Sequence, residues 1–360
     1  PHDLGLGFRF DSQDMLSVLF HMGVNRNRMS GVKADVSAKL GGNQWLNANL
    51  SYGHMLYPRI NIGYNFRNSE LDTYDMDELV MNMHFLQHKF RVYLSENYSR
   101  TISIGAGLEA ELLTPRKVMY LNHEAVDMDS KPVNTLGSFA YLHYDNLNKA
   151  SFATRGVTGK INFNWKDMMF SSNGTSPLGY GSFVFGFEGY VPIIENRLVL
   201  IPQLYGSMLF GKGAVNGTTD SWNPLFEGHV PAYPAMNNVI GGAEMGRHID
   251  QQLPFIGVNK ISLAFNNVGI ARLDIRTRVY KNHYVTGIVN YARSSVDMNN
   301  FFKEKDELQW GDLYDYNASN WWGAGVRYSI DTKLGPLNFD VSSSNISKNV
   351  NLYFSIGHYF

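Results

Sequence analysis

Val350-Asn-Leu-Tyr-Phe-Ser-Ile-Gly-His-Tyr-Phe360 alternates almost without fault. Leu352, Phe354, Ile356, His358 and Phe360 fall on one face of an extended strand, and Asn351, Tyr353, Ser355, Gly357 and Tyr359 on the other. The chain stops there, on an apolar aromatic residue and without a polar tail.

Bacterial outer-membrane β-barrels finish with a strand of this kind, so Tyr359 and Phe360 are the expected C-terminal assembly signal. The rest of the chain repeats the pattern. Leu16, Val18, Phe20, Met22 and Val24 are followed by Val32, Ala34, Val36, Ala38 and Leu40, with Lys33, Asp35, Ser37 and Lys39 between the second set. Ile60, Ile62, Tyr64 and Phe66, then Phe183, Phe185 and Phe187, then Trp322, Ala324, Val326, Tyr328 and Ile330 do the same. The spacing of ~20 residues suits a spanning strand of ~9–11 residues plus a connector. Over 360 residues that predicts about sixteen strands.

Between Glu78 and Asn97 the apolar set moves from Met81, Met83 and Phe85 to Phe90, Val92 and Leu94. This predicts a β-bulge or a strand leaving the bilayer. Pro202 and Pro336 lack a ladder donor and are expected near a strand end or bulge. Connectors around Tyr57-Pro58, Glu195-Asn196 and Lys281-Asn282 are tight, whereas 114–136, 211–258 and 295–320 read as long polar loops. Short turns on one rim and long loops on the other orient such a barrel.

A soluble β-sandwich would also alternate. At this length, however, it would divide into domains and carry a charge-rich outer face. Here the non-apolar face is mostly Asn, Ser, Thr, Gly and Tyr, and charged residues make up only 18% of the chain. No apolar run approaches the ~20 residues of a spanning helix. A net charge of −1 offers no field for nucleic acid, which is not expected as a partner. The absence of cysteine removes thiolate metal sites and cysteine nucleophiles. No composition shift divides residues 1–360, so one barrel domain is expected.

One segment carries a family resemblance. Val239-Ile-Gly-Gly-Ala-Glu-Met-Gly-Arg-His248 is followed by Gln251-Gln-Leu-Pro-Phe-Ile-Gly257. The glycine pair Gly241 and Gly242 with Arg247 at that distance resembles the inward-folded sixth extracellular loop of the BamA-like outer-membrane superfamily. His248 and Ile249 stand where glycine and an aromatic are usual. Gly323-Ala-Gly-Val-Arg-Tyr-Ser-Ile330, Leu334-Gly-Pro-Leu-Asn-Phe-Asp-Val341 and the terminal strand look like that superfamily's last three strands, and Gly5-Leu-Gly-Phe-Arg-Phe-Asp11 like its first. The resemblance implies an all-β transmembrane antiparallel barrel with a long inward-folded loop between strands 11 and 12.

Arg247, if folded into the lumen, needs an acidic partner. The superfamily draws it from the thirteenth strand, but the expected strand here, 283–293, holds no acid. Asp274, sharing a face with Arg272, Arg276 and Arg278, is the first candidate and Asp340 the second.

No catalytic, cofactor or metal constellation emerges. His84 and His88 lie on one strand face ~13 Å apart, too far to share a metal. His123, Glu124, Asp127 and Asp129 lack the glycine and terminal glutamate of an EF-hand. Asp297, Glu304, Asp306 and Glu307 read as a solvated face. Gly174-Thr-Ser-Pro-Leu-Gly179 is not a nucleophile elbow. Within the superfamily, the sequence from Arg247 to Gly257 is most similar to the barrel of Bacteroidetes-type patatin-like phospholipase fusions. In those proteins a patatin hydrolase and a POTRA repeat precede the barrel. The start at Pro1 then implies the C-terminal part of a longer polypeptide. The resemblance implies a membrane anchor or translocation unit, with outer-membrane lipid, the barrel-assembly machinery and a second copy or another envelope protein as expected partners. An insertase of the same superfamily and an open diffusion porin are the alternatives.

Overall fold

The computed structural model describes residues 2–25, 31–53, 58–75, 78–97, 101–121, 124–128, 132–170, 179–211, 238–242, 244–247, 249–258, 261–264, 266–295, 298–302, 318–347 and 349–357. Its strands are β1 (His2–Asp11), β2 (Met15–Asn25), β3 (Val32–Gly41), β4 (Gln44–Tyr52), β5 (Arg59–Asp75), β6 (Glu78–Asn97), β7 (Ile102–Leu121), β8 (Glu124–Met128), β9 (Val133–Asp145) and β10 (Gly156–Phe170). They continue as β11 (Tyr180–Ile194), β12 (Leu198–Phe210), β13 (Asn238–Ile240), β14 (Gln252–Leu253), β15 (Ile261–Ala264), β16 (Asn267–Tyr280), β17 (His283–Ser295), β18 (Ala318–Thr332), β19 (Gly335–Ser344) and β20 (Asn351–Ile356). Among the described residues a single turn of helix, α1 (Met298–Phe301), interrupts them.

Leaving aside the short β8, β13, β14 and β15, sixteen strands pair antiparallel with their neighbours, and β1 meets β20 to close a barrel. Its two faces invert the usual soluble arrangement. On β1, Leu4, Leu6 and Phe8 point out at 72%, 66% and 60% exposure, while Arg9 and Asp11 point in and are buried. Ile60 and Ile62 on β5, Phe90, Val92 and Leu94 on β6, and Val289 on β17 extend the outer apolar band. In water this surface would be costly, since each buried Å² of apolar area is worth ~25 cal/mol. Against hydrocarbon it is at home. Exposed Tyr52, Tyr280, Tyr291 and Trp322 supply the aromatic residues that suit a headgroup interface.

Connector lengths set the orientation. Residues 195–197, 281–282 and 333–334 are tight turns on one rim, and the connectors after β12 and β17 lie on the other. The region 114–136, expected as a loop, is mostly strand: β7 runs to Leu121 and pairs with β8 and β9. β5, β6 and β7, at 17, 20 and 20 residues, exceed the ~9–11 needed to span and project beyond the long-loop rim.

The parity change within β6 has a different origin from a bulge at that point. Its register with β7 is unbroken from Met81 to Asn97. The slip against β5 lies at Val80, between the pairs Thr73 with Met81 and Tyr74 with Leu79. Phe85 faces inward with Gln87 and Lys89 and is 1% exposed, so an apolar residue occupies a lumenal position. Pro336 is near the start of β19, as expected. Pro202 instead lies within β12, where the β11–β12 ladder is interrupted between the pairs Glu188 with Gln203 and Val191 with Leu200.

Candidate functional site

The long connector between β12 and β16 brings apolar residues into the barrel. Ile240, Leu253, Phe255 and Val258 pack with Val184 of β11, Tyr205 of β12, Val268 and Ile270 of β16 and Ala292 of β17. β13 pairs with β14 and β15, and β15 adds in parallel to β5 through Ile261 with Thr73 and Ser262 with Tyr74. Backbone groups that would otherwise be orphaned there are thereby satisfied. Gly241 and Gly242 start the descent at φ of 123° and 79°, a conformation open to glycine and costly to other residues.

Arg247 then meets the seam of the barrel. Its Nη2 donates to Asp11 Oδ2 at 2.6 Å, Nε to Asp14 Oδ2 at 3.2 Å and Nη1 to Gln13 Oε1 at 3.0 Å. Arg9 pairs with Asp11 and with Glu244 of the loop at 2.9 and 3.0 Å, and Lys39 reaches Asp14. Backbone N–H groups of Gln13 and Asp14 donate to Asp11 Oδ1. Burial alone would favour loss of the Arg247 proton, but Asp14 and Asp11 outweigh it and hold the guanidinium charged above its ordinary range. Burial pushes the Glu244 carboxyl up, against the pull of Arg9 and Arg247.

Asp274 and Asp340, expected as partners of Arg247, serve other cations. Asp274 accepts both donors of Arg272, two residues away on the same face of β16, at 2.7 and 2.8 Å. Asp340 on β19 takes the fork of Arg327, directly opposite on β18, at 2.7 Å twice. Each is saturated by a neighbour on the wall. The acids Arg247 uses come from the end of β1 and the tight turn after it, Asp11-Ser-Gln-Asp14.

A second contact, farther round the wall, was not visible in the sequence. Asp250 accepts from Lys89 of β6 at 2.5 Å and faces Arg67 of β5 at 3.5 Å. Burial would raise its carboxyl, but Lys89 and Arg67 hold it well below the usual carboxylate range. Beyond Lys89 the network continues through Arg91 and Glu109 at 2.5 Å, and through Lys166 to Glu109 and Glu111. Arg247 and Asp250, three positions apart in the loop, thus bridge β1 to β5 and β6.

A family model for the OMP85 superfamily matches residues 52–200 and 226–360. The chain belongs to the OMP85 superfamily. It is therefore a barrel of the bacterial outer membrane. A search of curated protein sequences returns no match. Among solved structures, this OMP85 barrel is similar to BamA from Haemophilus ducreyi lacking POTRA domains 1–3, with a TM-score of 0.68 at 13% identity, covering 98% of this chain and 69% of that one. It is also similar to CdiB from Escherichia coli, with a TM-score of 0.53 at 11% identity over 99% and 67%, and to CdiB from Acinetobacter baumannii, with 0.51 at 13% over 99% and 59%.

In the OMP85 barrel, His84 and His88 both point to the outer face, bound to Asn68 Oδ1 at 2.8 Å and Tyr64 OH at 2.9 Å. No cluster able to hold a metal ion occurs among the described residues. His123 and Asp129 of the acidic cluster, Asp297, Glu304, Asp306 and Glu307, His248, and the terminal Tyr359 and Phe360 lie outside the described residues.

Proposed function

We propose that this chain is the outer-membrane anchor or translocation unit of an N-terminal patatin-like lipase domain, its lumen closed by the loop carrying Arg247. The observation that carries the closure is the grip of Arg247 on Asp11 and Asp14, together with that of Asp250 on Lys89 and Arg67. A loop tied at two points on the wall and packed on an apolar interior is held as a plug. Gly241, Gly242 and Arg247 act as the lock. Outer-membrane lipid, the barrel-assembly machinery and a second copy or another envelope protein are its proposed partners. The lipase assignment rests on the resemblance of the segment from Arg247 to Gly257, and chemistry on lipid would belong to the upstream domain.

Single-channel recording of the purified barrel tests the closure: a steady, large conductance in the wild type would reject it in favour of an open porin. The upstream reading frame tests the lipase: a Gly-x-Ser-x-Gly domain supports it, and POTRA repeats alone transfer the assignment to an insertase.

A further inference from the structure

The turn 146–155 joins β9 to β10 on the short-turn rim, which faces the periplasm in barrels of this orientation. With ten residues it is the longest connector on that rim, where 195–197, 281–282 and 333–334 are hairpin turns. Its own hydrogen bonds make it stiff. The Asn148 side chain accepts from the backbone N–H groups of Thr154 and Arg155 at 2.9 and 3.2 Å and donates to Thr154 Oγ1 at 2.9 Å.

The tip of this turn does not hang free. Phe152 stacks on Tyr284 with centroids 4.2 Å apart and planes 7° from parallel. Arg276 donates to the carbonyl oxygen of Ala153, and its guanidinium lies 5.6 Å from the Phe152 ring and 5.8 Å from those of Tyr190 and Tyr284. Ala153 is 3% exposed. Tyr284 belongs to β17 and Arg276 to β16, whereas the turn leads into β10. In wall order β10, β11, β12, β16, β17 the contact skips three strands, about 19 Å along the wall at ~4.8 Å per strand. A turn confined to β9 and β10 could not reach so far; its tip leans over the ends of β11, β12 and β16, and Arg155 pairs with Glu195 of the β11–β12 turn on the way. Phe152 accepts a φ of 50° to do so, a strained conformation for a bulky residue that persists where surrounding contacts fix it. Three rings around one guanidinium are such contacts.

We infer that the turn 146–155 is a strap across the periplasmic mouth, pinned by Phe152 on Tyr284 and by Ala153 on Arg276, which narrows the lumen independently of the Arg247 lock. The loop fills the β11–β17 side of the lumen from one end, and the strap covers the same side from the other. Release of the loop alone would then leave a constriction at the periplasmic end.

Residues 1–360 contain no cysteine, so single substitutions in this barrel report cleanly. Ala153→Cys and Ala150→Cys, the latter at an exposed position of the same turn, are labelled with a maleimide in micelles, with heat-modifiable gel mobility confirming the folded barrel. Labelling at 153 is expected to be at least tenfold slower than at 150, to stay slow when Arg247→Ala is added, and to become fast with Phe152→Ala. Equal rates at the two positions, or loss of protection on Arg247→Ala alone, would overturn the inference. Should Ala153→Cys fail to fold, trypsin cleavage at Lys149 and Arg155 gives the second reading: Phe152→Ala should accelerate it tenfold over wild type, and an unchanged rate rejects the strap.

Discussion

Arg247, 236 residues along the chain from Asp11, donates to its carboxylate at 2.6 Å and so ties the loop before β16 to the strand that opens the barrel. Removing a cation from a buried cluster leaves its acids uncompensated, at a cost of about 3 kcal/mol. Arg9 and Lys39 remain beside Asp11 and Asp14 and soften that cost. Arg247→Ala is therefore expected to lower the urea midpoint of the folded barrel, raise conductance and expose the loop to protease. Arg247→Lys keeps the charge but cannot bond Asp11, Gln13 and Asp14 together, and should fall between the two. Unchanged conductance, midpoint and protease sensitivity in Arg247→Ala would sink the lock.

The second tie has a defined pH window. The Asp250 carboxyl is held well below its ordinary value by Lys89 and Arg67, so its stabilisation is complete above the unfolded-state value near ~3.9. It is lost as pH falls through the lower, folded-state value. Loop protection measured with an acid-active protease should be flat from pH 7 to 5 and decline only below about pH 4. Asp250→Asn should be protease-sensitive at neutral pH already, because it strands Lys89 in the lumen.

Within the loop, the apolar anchor should matter as much as the charges. Phe255 is 1% exposed and packs among Ile270, Ala292 and Ile346. Truncating a buried phenylalanine costs about 3–5 kcal/mol. Phe255→Ala is expected to release the loop while leaving the strand content of the wall intact. Proteolysis of the loop with unchanged β-sheet circular dichroism would show this, and a loop as resistant as wild type would count against it.

The wall was legible in the sequence because a barrel repeats one physical rule: residues two apart share a face, and one face meets lipid. The lumen obeys no such period. Phe85 broke the alternation because it is an apolar side chain buried on the inward face of β6, a placement the strand pattern does not encode. Gly241, Gly242 and Arg247 were visible as a spaced motif. Their acids were not, because Asp11 and Asp14 owe their position to a tight turn that brings two carboxylates to one point above the seam. Asp274 and Asp340 had the right face but the wrong neighbours, since Arg272 and Arg327 reach them without leaving the wall. Asp250 gave no signal at all, its value depending on where β5 and β6 place Arg67 and Lys89.

At the seam, Gly357 is the residue least open to replacement. It adopts φ of 119°, and a Cβ there would stand 2.4 Å from the Phe8 carbonyl oxygen and 3.0 Å from Arg9 Cα, both on β1. Neither neighbour is a flexible side-chain end, so the backbone itself must move. Strain of this type costs on the order of 1–3 kcal/mol, and here it falls next to the β1–β20 pairs Phe10 with Ile356 and Asp11 with Ser355. Gly357→Val is expected to slow conversion to the heat-modifiable folded form and to lower its yield. Gly287, on the outer face of β17 with nothing within 4 Å of an added Cβ, is the matched control, and Gly287→Ala should fold as wild type does. If both variants fold alike, close approach at Gly357 is not what closes the barrel.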